Sequence, residues 1–215
     1  MRRFLLLVSV LALSAGISRA QELPDPGAIL SRAISQSKRC SFDGFQAKLD
    51  DNDKLVGWKP LTLKQRRMVE DLSLPMLFKF NPDRFDMGDY ATRIEVGGRA
   101  RLIVSFIPLP EAQQLKPNKS EGKNSVRVMN NLSGHVLIDE ESGDIIEVKA
   151  ELKGSYKFRW YIFPWTLESL SITMNHTLRG ETWGPDKLDM TVDGTWIRFG
   201  SFFNQYRADF NCSPE

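Results

Sequence analysis

The sequence predicts an α+β fold: a curved antiparallel β-sheet of half-barrel form, connected largely as a meander and closed over one or two N-terminal helices. Three observations carry that expectation. Helical patterning is confined to the chain before residue 80, while beyond it segment after segment alternates apolar and polar residues with period two. Such alternation belongs to antiparallel strands with one face on a core and one in water. The clearest example is residues 131–152, NLSGHVLIDEESGDIIEVKAEL, where Leu132, Gly134, Val136 and Ile138 share one parity and Ile146, Val148, Ala150 and Leu152 share one parity after a turn. Setting apolar opposite apolar pairs Ile138 with Ile146 and Val136 with Val148, which leaves Glu141, Ser142 and Gly143 as the loop.

The elements follow in order. Residues 1–20 read as a signal peptide: Arg2 and Arg3 precede the apolar run from Phe4 to Leu13, and Ser18, Arg19 and Ala20 end it with small residues where a peptidase reads. Cleavage after Ala20 leaves residues 21–215 as a single domain. The run is shorter than the ~20 residues a membrane span needs, so an exported, soluble product is expected. Asp25 and Pro26 open a helix reaching about Ser37, with Leu30, Ala33 and Ile34 as its apolar stripe. Phe42, Phe45, Ala47 and Leu49 suggest a strand, Asp50 to Asp53 a turn, and Leu55 to Trp58 a return strand. Leucines and methionines from Leu61 to Leu77 favour a second helix, broken near Pro75.

A meander then begins. Thr92, Ile94 and Val96 lead to Gly97 and Gly98, and a three-residue loop ending at Arg99 is the reading that sets Ile94 against Leu102 and Thr92 against Val104. Residues 108–124, rich in Pro, Lys and Asn and without periodicity, read as a mobile surface connection. After the 131–152 hairpin comes GSYKFRWYIFPW, in which Pro164 should interrupt pairing. Leu170, Ile172, Met174, His176 and Leu178 form one dry face. Across a wide turn over residues 179–187, Leu178 can face Leu188, Met174 can face Val192 and Leu170 can face Trp196. A last strand from about Phe202 to Phe210 completes the sheet.

Charge and motifs exclude several function classes. Removing Arg2, Arg3 and Arg19 with the signal leaves 26 basic against 27 acidic residues, a net charge of −1, so the footprint of a nucleic-acid binder is missing. The sequence lacks phosphate-loop, dinucleotide, zinc-protease and nucleophile-elbow motifs, so no catalytic residue, metal or cofactor is expected. His176, between Met174 and Leu178 on an apolar face, reads first as a core imidazole held neutral by burial, and His135 falls on the polar parity. Asp139, Glu140, Glu141 and Asp144 lack the spacing of a calcium loop and read as a solvated hairpin tip. In an oxidising compartment Cys40 and Cys212, the only two cysteines, are expected to pair. Aromatic residues beside Lys153, Lys157 and Arg159 suit a boundary between water and lipid. Phe158, Trp160, Phe163 and Trp165 are therefore the candidates for an entry or lid.

Across residues 85–209 the order of segments, a strand ending VGGRA, a return ending IPLP, a polar link, NNLSGHVLID, ESGDIIEVKAEL and a closing FNQYRADF, resembles exported bacterial proteins of the outer-membrane lipoprotein-sorting superfamily, the LolA-like half-barrels. What the resemblance implies is a non-enzymatic periplasmic carrier that holds a lipid or lipoprotein acyl chain inside a concave sheet, with transient membrane contact. The residues that would line the ligand are Val136, Ile138, Val148, Met174, His176, Met190, Val192 and Trp196. The alternative is an envelope interaction or scaffold protein whose sheet is filled by its own helices, meeting a protein partner through its outer face or the 108–124 link.

Overall fold

The computed structural model describes residues 25–36, 41–50, 54–66, 82–88, 91–114, 116, 123–160, 163–179, 182–196 and 200–211. The residues of the expected signal peptide, those of the expected second helix beyond residue 66, and Cys40 and Cys212 lie outside the described residues. The elements are α1 (Pro26–Gln36), β1 (Ser41–Leu49), β2 (Leu55–Pro60), β3 (Phe85–Asp86), β4 (Thr92–Val96), β5 (Arg99–Pro108), α2 (Lys123–Met129), β6 (Leu132–Asp139), β7 (Ile145–Leu152), β8 (Tyr156–Trp160), β9 (Phe163–Arg179), β10 (Thr182–Trp196) and β11 (Gly200–Asn211). All eleven described strands join one antiparallel sheet in the order β2-β1-β11-β10-β9-β7-β6-β5-β3, with β4 on β5 and β8 on β9. The sheet is curved and open, since its end strands β2 and β3 do not meet. The expected α+β half-barrel is what the chain forms.

Local chemistry accounts for the ends of these elements. Asp25 caps α1 by accepting the Ala28 N–H on Oδ2 at 2.8 Å, and Leu30 and Ala33 point from the helix into the core. After β2, Thr62 and Gln65 form a capping box: the Gln65 N–H donates to Thr62 Oγ1 and the Thr62 N–H to Gln65 Oε1. That box starts a helical turn at residues 63–66, which lies across β1, with the Arg66 guanidinium 4.6 Å from the Phe42 ring centre. In the interior of β6, a Cβ on Gly134 would sit 1.9 Å from the Lys149 carbonyl oxygen, so the two backbones approach more closely than any side chain allows.

The inner face is apolar along transverse rows. Val104, Val136, Val148, Met174, Leu188 and Ala208 follow one another across β5, β6, β7, β9, β10 and β11, and Phe106, Gly134, Ala150, Ile172, Met190 and Tyr206 form the next row. Each of the two rows is buried apart from the half-buried Gly134. On the outer face Glu147, Lys149, Asp189 and Arg207 hold partly exposed ion pairs such as Lys149 to Glu147 at 2.9 Å. Pairs of this kind contribute about 0–1 kcal/mol each, so burial of the inner face holds the sheet together.

Several expectations are corrected. Gly97 and Gly98 form a two-residue turn with φ of 60° and 74°, and Ile94 faces Arg101 rather than Leu102. Two left-handed glycines satisfy the tight hairpin turn, and β4, largely exposed, has little apolar register to protect. Val136 faces Val148 as expected, but a bulge sets Ile138 opposite Ile145, and both isoleucines after the loop are buried. Met174 faces Leu188 and Leu170 faces Val192, a shift of four residues: β10 begins at Thr182, so Gly184 and Pro185 stand inside a strand and not in a wide turn, with a bulge after Pro185. Pro164 pairs with Arg159 within the β8–β9 hairpin instead of interrupting it. The tail of the expected 108–124 connection belongs to α2, whose Val126, Val128 and Met129 are buried.

Candidate ligand-binding face

The inner face is broad and apolar, and the described strands divide the expected ligand residues into three groups along it. Val136, Val148, Met174 and Met190 occupy its centre in the two rows above, and Val192 lies one step along, opposite Leu170. Trp196 is at one end, paired with Trp165. His176 and Ile138 are near the other end, beside the β6–β7 and β9–β10 connections. Residues 165 and 176 of β9 are separated by about 35 Å at the ordinary strand rise, so His176 and Trp196 belong to opposite ends rather than to one pocket.

The Trp196 end carries an aromatic cluster. Trp165 and Trp196 stack with ring centres 5.8 Å apart and an interplanar angle of 28°, and Phe202 lies 6.1 Å from both rings. All three are half-buried, and Trp165 and Phe202 pack against the core, so at this end the apolar face reaches solvent. Of the expected lid residues, Trp165 belongs to this cluster; the side chains of Phe158, Trp160 and Phe163 lie outside what is described.

The β11–β1 side of the face is polar. Gln46 donates through Nε2 to Asn204 Oδ1, and Gln65 donates through Nε2 to Gln46 Oε1, each at 2.6 Å. Tyr206, next to Asn204 on the same parity, has its phenol pKa raised by burial. Phe202, Asn204, Tyr206, Gln46 and Gln65 were not singled out in the sequence. The parity of residues 202–210 and the Thr62, Gln65 spacing are the signals that place them.

His176 is 9% exposed, and burial lowers its pKa to about 4, a backbone hydrogen bond with Ile146 opposing the shift. Its Nδ1 has no hydrogen-bond partner. A neutral imidazole in such a place lacks the carboxylate and hydroxyl that would make it a general base. Among the described residues no group of three or more His, Cys, Asp or Glu could hold a metal ion, and no helix is long and apolar enough to cross a membrane.

A scan against protein-family models, a search of curated proteins and a search of solved structures each returned no match.

Proposed function

We propose that this chain is a non-catalytic carrier of apolar ligands, taking an acyl chain of a lipid or lipoprotein through the aromatic end of its half-barrel in the bacterial periplasm. The observation that carries the reading is the half-buried Trp165, Trp196 and Phe202 cluster, which continues a six-strand apolar face to the protein surface. Aromatic rings offer large apolar contact at small entropic cost, and the Gln46, Asn204 and Tyr206 side of the face supplies hydrogen-bonding groups for a polar head. The LolA-like segment order over residues 85–209 supports the same reading. Because Val104, Ile138 and Leu188 are 0% exposed, the inner face is covered, and uptake requires whatever covers it to move off the sheet.

That closure is also the observation favouring a second reading, an envelope scaffold whose sheet is permanently filled. Native mass spectrometry of protein taken from a bacterial periplasm, with fluorescent fatty-acid displacement on the delipidated protein, separates the two. A bound lipid mass and saturable displacement support the carrier; a clean apo mass with no displacement leaves the scaffold.

A further inference from the structure

One edge of the sheet is both basic and apolar where it meets water. Residues 54–67, KLVGWKPLTLKQRR, hold five of the chain's 29 basic residues and no acidic one, in a chain whose net charge is only +2. Residues 54–66 line a single rim. β2 runs beside β1 from Leu55 opposite Leu49 to Pro60 opposite Phe45, and the chain then follows β1 further, the Leu61 N–H donating to the Gly44 carbonyl at 2.9 Å and Arg66 Nη2 to the Phe42 carbonyl at 3.1 Å. Among the described residues no strand pairs with the far side of this rim, because β2 ends the sheet.

Exposure along the rim is the reverse of what water favours. Leu63 at 82%, Val56 at 65% and Leu55 at 51% are the three most exposed large apolar side chains among the described residues. Lys54, Lys59 and Lys64 are exposed beside them, and Trp58 is half-buried with the Arg207 guanidinium 4.8 Å from its ring centre. Apolar tips set among ammonium groups suit a lipid surface, where the tips leave water and the cations meet head-group phosphates. A strand from another chain fits less well: Pro60 offers no N–H to a ladder, and a bulge leaves Val56 without a partner on β1 and bends the edge. Carboxylates decide the orientation. Asp43, Asp189 and Asp209 lie on the outer face, and Asp50, Asp51 and Asp53 precede the rim in the β1–β2 turn, so contact is made edge-on. Counted with that turn, residues 50–67 still hold five basic against three acidic residues. We propose that this rim docks the protein on an anionic phospholipid surface, with Leu55, Val56 and Leu63 entering the acyl boundary and Lys54 and Lys59 meeting head-group phosphates. The inference does not depend on the carrier reading.

Cosedimentation of the whole chain with vesicles tests it, every variant sharing one N-terminus so that residues 1–20 contribute equally. Binding is expected on vesicles of phosphatidylglycerol and phosphatidylcholine in about equal parts, and should be about tenfold weaker or less on phosphatidylcholine alone. Each lysine near an anionic surface contributes about fivefold, so Lys54→Gln with Lys59→Gln should lower affinity for the anionic vesicles about 25-fold. Val56→Ser with Leu63→Ser should lower it about tenfold through lost apolar burial. Lys149→Gln, a loss of charge on the outer face, should change it less than about twofold. All of these positions are exposed, and an unchanged melting temperature verifies the fold of each variant. The proposal is overturned by the absence of binding to anionic vesicles, by equal binding to phosphatidylcholine, by a lysine double variant that binds as well as the parent, or by Lys149→Gln weakening binding as much as Lys59→Gln alone. A dimer in sedimentation equilibrium that Val56→Ser with Leu63→Ser dissociates would also overturn it, assigning the rim to a second copy of the chain.

Discussion

Replacing Trp196 with alanine distinguishes a ring that receives ligand from a ring that only fills the core. A fully buried tryptophan cut back to alanine costs about 3–5 kcal/mol. Trp196 is half-buried, so about half of that, ~2 kcal/mol, is expected. About 1 kcal/mol of the loss comes from its stacking on Trp165 at 5.8 Å and its tilted contact with Phe202 at 6.1 Å. For a domain of this size ~2 kcal/mol lowers Tm by about 4–8 °C and leaves the protein folded at room temperature. Urea denaturation measures the loss, and displacement of a fluorescent fatty acid measures binding, which should weaken about tenfold, or ~1.4 kcal/mol. A loss above about 4 kcal/mol would make the ring part of the core. The expected loss of stability with unchanged displacement would refute the mouth.

Three further outcomes follow from the geometry. Because burial lowers the His176 pKa to about 4 against about 6.5 in an unfolded chain, stability is whole above pH 6.5 and declines as pH falls toward 4, by about 3 kcal/mol in all; His176→Phe should flatten that slope in urea melts run across this window. Ser41 and Asn211 are cross-strand partners, one residue from Cys40 and Cys212, so a bridge is expected. It would close a loop of roughly 170 residues worth about 5 kcal/mol in chain-entropy models, and two thiols alkylating without reductant in denaturant would dismiss it. Gly134→Ala drives a Cβ into the Lys149 carbonyl and should cost about 3 kcal/mol by equilibrium denaturation, a cost under about 0.5 kcal/mol meaning that β6 and β7 can separate there freely.

The parity of strand residues was legible because one face of the sheet is buried from β5 across to β11, and a single slip would turn Val136, Met174 and Met190 to water. Strand partners were less legible. Apolar matching alone permits Met174 to face Val192 or Leu188, since a shift of four preserves parity, and only the tight connection between Arg179 and Thr182 selects Leu188. At Gly97 and Gly98 the turn's own geometry prevailed over pairing preference, because β4 buries little. Helix α2 escaped notice because seven residues are fewer than two turns, too short for a helical period to stand out. The residues of the expected ligand set share one face but are spread along it: period two assigns faces and carries no information about position along a 17-residue strand. The hairpin tip at residues 139–144 reads from sequence as solvated, because the sequence shows its charges but not that the Asp139 carboxylate is buried and holds the loop through Oδ1.

The pairing of β1 with β11 joins the first strand of the sheet to the last, across more than 150 residues of intervening chain. A chain that emerges N-terminus first must therefore hold the β1–β2 hairpin in waiting until β11 has arrived, and loop-closure entropy makes that step late and slow. Until then the outer edge of β10 and the exposed Leu55 and Val56 of β2 stand open to other strands, so the unfinished protein is at its most aggregation-prone just before β11 docks. Loss of β11 would thus leave two correctly formed pieces, a meander and a hairpin, with no strand between them.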